Sequence, residues 1–292
     1  MCSERFGRDD TTTSQRIEMI KQALIGLTAA ALLAGCGGED KAPATKAADG
    51  TKTVGLVQLV EHPALDAASR GIQDAVKARG LKVTFDVQNA QADQSNLANI
   101  AQRFVSQEYP LIFAVATPAA QTMANAAKNT PIVATAVTDY EAAKLVINKD
   151  KPGTNVTGSS DLNPIGAQLD LIMQFVPNAK TIGTIYNSSE INSQFQVEIL
   201  KKELARYNVT LVEGTVSSVN DVQQVAQGLI GKIDALYVPT DNIIASAMPV
   251  LTKITTPAKV PVITGEEGPL HGGGLATVGV DYYELGKIAG NM

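Results

Sequence analysis

Cysteine is nearly missing from these 292 residues: Cys2 and Cys36 are the whole supply, and they form no C-x-x-C pair. A disulfide framework and a cysteine zinc site are both excluded. The two histidines, His62 and His271, lie far apart and have no ligand-spaced neighbours, so no metal and no cofactor is expected. No run of Lys or Arg occurs in a chain of formal charge −5, which argues against a nucleic-acid partner. No G-x-G-x-x-G follows the first strand-like run and no G-x-x-x-x-G-K-[ST] occurs anywhere, so nucleotide binding through those loops is unsupported. "HGGG" at 271–274 has no G-x-S-x-G elbow before it and does not make a hydrolase.

Long apolar runs are also lacking. The one early run, Ala23 to Leu33 behind Met19-Ile20-Lys21, is too short to span a bilayer and has the form of an export signal. "LAGC" at 33–36 resembles the bacterial lipobox, which would make Cys36 the lipidated first residue of the mature chain; the alternative is an ordinary signal peptide with an incidental cysteine. Residues 1–18 put mixed charge before the cationic head, so translation is expected to start at Met19 and 1–18 to be an upstream extension. Residues 19–35 read as the lipoprotein signal peptide and 36–51, rich in Ala, Lys, Asp and Gly, as a lipid-attached tether.

What is present is material for a large core, with 45% hydrophobic residues. From residue 52 short β-branched runs alternate with helical stretches, the pattern of an α/β fold with parallel sheets covered by helices. "KTVGLVQLV", "LKVTFDVQ", "PLIFAVAT", "PIVATAVT", "NVTGSS", "KTIGTIYN", "VTLVEGTV", "IDALYVPT", "VPVITG" and "LATVGVD" read as strands. The strand-helix-strand unit of 53–87 returns at 180–213, and the turn-rich "DKPGTNVTG" at 150–158 lies between the halves. The expectation is two doubly wound lobes around a central cleft: an N-terminal lobe at 52–155, a C-terminal lobe at 156–275, and a return segment at 276–292.

In such sheets ligands gather beyond the carboxyl ends of the strands. Those ends carry Glu61-His62, Thr117, Thr138-Asp139, Ser160-Asp161, Asn187-Ser188-Ser189-Glu190, Thr240-Asp241-Asn242 and Glu266-Glu267. "ATPAAQ" sets the free N–H groups of a helix start beside Thr117, either a seat for a carboxylate or a plain cap. Asp241 with Asn242 offers an acceptor for an ammonium group or a local Asx turn. Asp161, Glu190 and Asp241 could in principle do acid–base work, but no catalytic constellation accompanies them.

The blocks "GLVQLVEHPALDAASRGIQDAV", "FDVQNAQADQSNLANIAQRFVSQ", "FAVATPAAQTMANAAKNTPIVATAVTDYEAAKLV", "GTNVTGSSDLNP", "TIGTIYNSSEINSQ" and "YVPTDNIIASAM" resemble the tryptophan/tyrosine-type group of ABC-transporter substrate-binding proteins. The resemblance implies a type I periplasmic-binding-protein fold and a monomeric receptor, not an enzyme, closing on an amino acid, often aromatic. It further implies delivery to a membrane permease with its ATPase, from the periplasm or the outer face of the cell membrane, anchored through Cys36. By resemblance "VEHP" with His62 and "ATPAAQ" with Thr117, Ala119 and Ala120 are the first-lobe ligand contacts, and "NSSE" with Asn187, Ser188 and Glu190 and "PTDN" with Asp241 and Asn242 those of the second; the strand-end reading adds Asp139 and Asp161 to the candidate ligand-binding residues. Thr117 with the N–H groups of Ala119 and Ala120 would take the carboxylate and Asp241 the ammonium; Tyr140, Tyr186, Phe195 or His62 would supply a stacking wall, and Gly158 and Gly279 a hinge. Branched-chain amino acids, another small solute, or a sensing role are the alternatives. The chain stops at "YYELGKIAGNM", inside a helical stretch, where such receptors continue, so a C-terminal truncation is expected.

Overall fold

The computed structural model describes residues 50–292. The upstream extension, the signal peptide, Cys36 and nearly all of the tether lie outside the described residues.

The continuous apolar runs become strands buried on both faces, as parallel sheets under helices require. β1 (Lys52–Gln58), β2 (Val83–Asn89), β3 (Ile112–Val115), β4 (Ile132–Val137) and β5 (Val156–Ser160) form one parallel sheet in the order β2-β1-β3-β4-β5. β6 (Thr181–Asn187), β7 (Thr210–Val216), β8 (Ala235–Val238) and β9 (Val262–Thr264) form a second in the order β7-β6-β8-β9. Helices α1 (Pro63–Ala78), α2 (Gln94–Ser106) and α3 (Thr117–Ala126) follow β1, β2 and β3. In the second lobe come α4 (Ile165–Phe175), α5 (Ile191–Leu204), α6 (Val222–Leu229), α7 (Asn242–Ser246) and α8 (Met248–Thr255). The last helix, α9 (Tyr282–Asn291), returns to the first lobe and packs on α1, β4 and β5. This is the expected α/β architecture of two parallel-sheet lobes.

Two boundaries differ from the sequence reading. β5 pairs with β4, Ile132 opposite Val156, so the chain crosses between lobes after Ser160 rather than before Val156. The turn-rich stretch before it is a loop inside the first lobe. "LATVGVD" contributes only a single bridge, Ala276 to Ile263, at the edge of the second sheet.

α1 shows how sequence makes the packing. Pro63 opens it without wasting a donor, and Ala64, Leu65, Ala68, Ile72, Ala75 and Val76 form the buried stripe. α9 then lies so near that a Cβ at Gly286 would stand 2.0 Å from the Ala68 carbonyl, and one at Gly71 2.2 Å from the Tyr283 carbonyl. Only glycine permits this backbone approach. At the expected hinge, Gly158 has φ +156° and its missing Cβ would meet the Ala134 carbonyl at 1.8 Å, so it serves close β4–β5 contact.

Gly286→Leu is expected to wedge α9 off α1 and cost about 1–3 kcal/mol of stability, the usual scale of overpacking, read as a lower urea midpoint. An unchanged midpoint would show that α9 is not part of the first-lobe core.

Candidate functional site

The carboxyl ends of both sheets face each other. At the end of β4 the pairing with β5 slips between Ala134 and Val137, and Ala136 takes φ +54°. Such a bulge re-aims the strand end: Ala136 and Thr138 face a small enclosed cavity between the lobes. From the first lobe His62 and Leu65 join them, from the second Asn192, Thr240, Asn242 and Glu266, and from the crossing segments Asp161 and Tyr282. The cavity volume is about 10 Å³, room for one water.

His62 occupies the N-cap position of α1 but makes no cap bond. Its ring reaches across the cleft instead, with Nε2 3.4 Å from Asn242 Oδ1 and Nδ1 3.9 Å from Glu266 Oε1. Burial pushes its pKa down to about 4, so the ring is neutral at pH 7 and Nε2–H is the donor to Asn242. Glu266, just past β9, is 2% exposed, and burial followed by the nearby Asp161 charge pushes it up to about 8. Asp161 accepts from Thr138 Oγ1 at 3.1 Å and from the Tyr282 hydroxyl at 2.6 Å; burial raises it too, against those bonds.

Behind this wall stands a second acidic pair. Glu190 accepts from the Asn192 side chain at 3.1 Å, the Asn242 backbone N–H at 3.3 Å and the Asn242 side-chain amide. Burial, then Asp241, raises its pKa. Asp241 caps α7 through Ile244 N–H at 2.9 Å and accepts from Asn187 N–H at 2.6 Å and Ser193 Oγ at 2.7 Å. Gln196 on α5 ties Thr240 of the second lobe to Thr138 of the first.

Of the residues singled out from sequence, His62, Asp161 and Asn242 line the cavity, and Glu190 holds Asn242 in place. Asp241 is committed to protein donors, the Asx-turn alternative of the sequence reading. Asn187 serves the same cap and Ser188 is exposed. Thr117, Ala119 and Ala120 are buried at the start of α3 and do not line the cavity; Ala120 N–H donates to the Ala116 carbonyl, while Thr117 Oγ1 has no partner. Asp139 bonds the N–H groups of Glu141 and Ala142 and pairs with Lys149 at 3.1 Å, in a first-lobe loop. Among the four candidate stacking groups only His62 reaches the cavity: Tyr140 donates to the Ala134 and Ser159 carbonyls, Tyr186 donates to Glu213, and Phe195 is half-buried elsewhere. Glu266, Thr138 and Thr240 belonged to the polar strand-end set without being picked out. Asn192, Gln196 and Tyr282 come from helices, where no strand-end rule points.

Two parallel-sheet lobes meet over a small buried polar cavity, the architecture of a two-lobed binding protein. The chain belongs to the ABC transporter substrate-binding protein family, whose pattern it matches over residues 53–292. It is 42% identical over 284 residues to a tyrosine-binding protein of Clostridioides difficile, covering 94% of this chain and 82% of that one. It resembles the crystal structure of an ABC domain from Streptococcus pneumoniae in complex with L-Trp, with TM-score 0.81, 38% identity and 83% of each chain covered. A ligand-free, open substrate-binding protein with adhesive properties from Clostridium difficile is nearer in sequence, at 45%, yet gives TM-score 0.60 with the same 83% of each chain covered. The family is one of binding proteins and not of enzymes.

Asp241→Ala should strand the Asn187, Ser193 and Ile244 donors and destabilise the unliganded protein by about 1–3 kcal/mol for each donor that finds no water. Urea denaturation checks this, and stability equal to wild type would return Asp241 to the list of groups free for a ligand.

Proposed function

We propose that the protein is the extracytoplasmic receptor of an ABC importer for an amino acid, with an aromatic one preferred, and that it captures its ligand by lobe closure. The observation that carries the reading is the electrostatic imbalance of the cavity. Asp161, Glu190, Asp241 and Glu266 are all buried around it, and no Lys or Arg is among the buried residues described. An ammonium group is the cation such a site is short of. Asp161 and Glu266, at the cavity wall, are the acceptors for it, with Thr138, Asn192 and Asn242 as neutral partners. Thr117, with its unpartnered hydroxyl at the start of α3, is proposed to turn toward the ligand carboxylate.

Space supports closure as the mechanism. A cavity of about 10 Å³ admits an amino acid only if the lobes separate and meet again around it. His62 with Asn242 and Glu266, and Thr138 with Gln196 and Thr240, make contact across the cleft and would part when the lobes open. The aromatic preference follows the tyrosine-binding relative and the L-Trp-bound neighbour. No bond is made or broken: the ligand shifts a population between two lobe arrangements.

Lipid attachment at Cys36 and delivery to a permease complete the proposal. Among the described residues no helix is long and apolar enough to cross a membrane. Several acyl chains on one cysteine would hold the receptor at a membrane by themselves.

Isothermal calorimetry and thermal shift with L-Tyr, L-Trp, L-Phe, L-Leu and L-Val test the ligand. The expected result is stabilisation by aromatic amino acids, about 2.7 kcal/mol at a hundredfold excess over Kd. A response to Leu and Val alone would replace the aromatic preference with a branched-chain one; no response to any amino acid would overturn the reading. Labelled palmitate should enter the wild-type protein in bacteria and not Cys36→Ser, and equal labelling of both would remove the lipid anchor.

A further inference from the structure

The receptor reading leaves one question open: what keeps the lobes from meeting when no ligand lies between them. Hydrogen bonds across the cleft favour closure at all times. Gln196 bridges Thr138 and Thr240, and those two hydroxyls are 3.4 Å apart. Opposing them are the carboxylates. Glu266 faces His62 from the turn before α1, Asp161 from the end of β5, Tyr282 from the head of α9, and at longer range Glu190 and Asp241 from the heads of α5 and α7. Only His62 in that ring of neighbours can become a cation, and its Nδ1 has no hydrogen-bond partner. Glu266 Oε2 and Asn192 Oδ1 are likewise buried without a partner on the cavity wall.

We propose that this cluster is a counter-charge interlock: the ionised carboxylates hold the lobes apart, and a ligand ammonium seated among them lets the lobes meet. The inference rests on the receptor reading and adds to it a reason for ligand-dependent closure. Separated lobes leave the carboxylates in water. Joined lobes take them out of it, at a cost that only a cation or bound protons can offset. A receptor built this way does not offer its closed surface to a transporter while it carries nothing.

Protons can replace the ammonium, which makes the interlock measurable without any ligand. With the lobes apart Glu266 titrates near the ordinary glutamate value of about 4.3; with them joined it keeps its proton up to about 8. The closed form therefore binds more protons, and its penalty grows as pH rises from the first value to the second and is complete above it. His62 acts in the opposite sense, since closing lowers its pKa, but only below its ordinary value of about 6.5. Between pH 6.5 and 8.5 the carboxylates act alone.

Small-angle X-ray scattering of the full chain without ligand, stepped from pH 8.5 to 6.5, tests this. The radius of gyration should fall as pH falls, the closed-to-open ratio rising by up to about tenfold per pH unit for each proton taken up. Glu266→Gln should be compact already at pH 8.5, and L-Tyr or L-Trp should compact the wild type at that pH. A ligand-free wild-type radius constant across the range overturns the interlock, and so does a Glu266→Gln variant that is folded by circular dichroism and as open as wild type at pH 8.5. If that variant fails to fold, the wild-type series decides alone. Compaction by L-Tyr or L-Trp with no response to pH sinks the interlock and spares the receptor reading; a pH response with no effect of any amino acid overturns the receptor reading and the ammonium release together, and leaves only the opposition of the carboxylates to closure.

Discussion

An ionised carboxylate taken out of water costs several kcal/mol unless a cation meets it, and this fold surrounds one cavity with four buried carboxyls. Neutral donors soften the cost. Thr138 and Tyr282 serve Asp161, three asparagines serve Glu190, and a helix start with a serine serves Asp241. Glu266 receives least, and it stands where the two lobes touch. Much of the surrounding polar architecture serves to hold these groups in position, and the cavity is the one place among them where a small cation could be added.

Among the described residues two crossing segments join the lobes, beside the contacts that His62, Thr138 and Gln196 make across the cleft. Asn163, just after β5, donates to the Asp161 carbonyl and accepts from Val280 N–H, which fastens the outgoing strand to the returning one. Gln168 on α4, itself buried, donates to the Gly265 and Val278 carbonyls and accepts from the Tyr237 hydroxyl. These side chains fix where the crossings leave the second lobe. Asp161 and Tyr282 sit beside these fixed points, at the start of the outgoing crossing and the end of the returning one, and bond each other.

The sequence made the layers legible because apolar runs such as "IFAV" and "IVATAV" have one use in an α/β chain, as strands covered on both sides. β5 was harder. "NVTGSS" follows a turn-rich loop, and nothing local says that it pairs with β4 instead of opening the next lobe. The strand-end rule pointed with equal weight to His62, Asp161 and Asn242, which line the cavity, to Glu190, which bonds Asn242, and to Asp139 and Ser188, which do not line it. Asp241 had the right chemistry for a ligand and the right spacing for a cap, and only three-dimensional accounting of its donors separates the two. Gln196 and Tyr282 were invisible because helix faces carry no label for the side that meets another lobe.

The glycine contact between α1 and α9 bears on the order in which the protein is made. The first lobe is discontinuous: among the described residues its last strand ends at Ser160, and the side of α1 that carries Ala68 and Gly71 meets α9 only when residues 282–291 arrive. The second lobe, by contrast, is one uninterrupted stretch inserted between. Synthesis and export from the amino end thus deliver the inserted lobe whole while the earlier lobe still exposes Ala68 and Ile72, a non-local contact that closes late. For the first lobe, a face of α1 made early is met by a helix that comes after the whole of the second lobe.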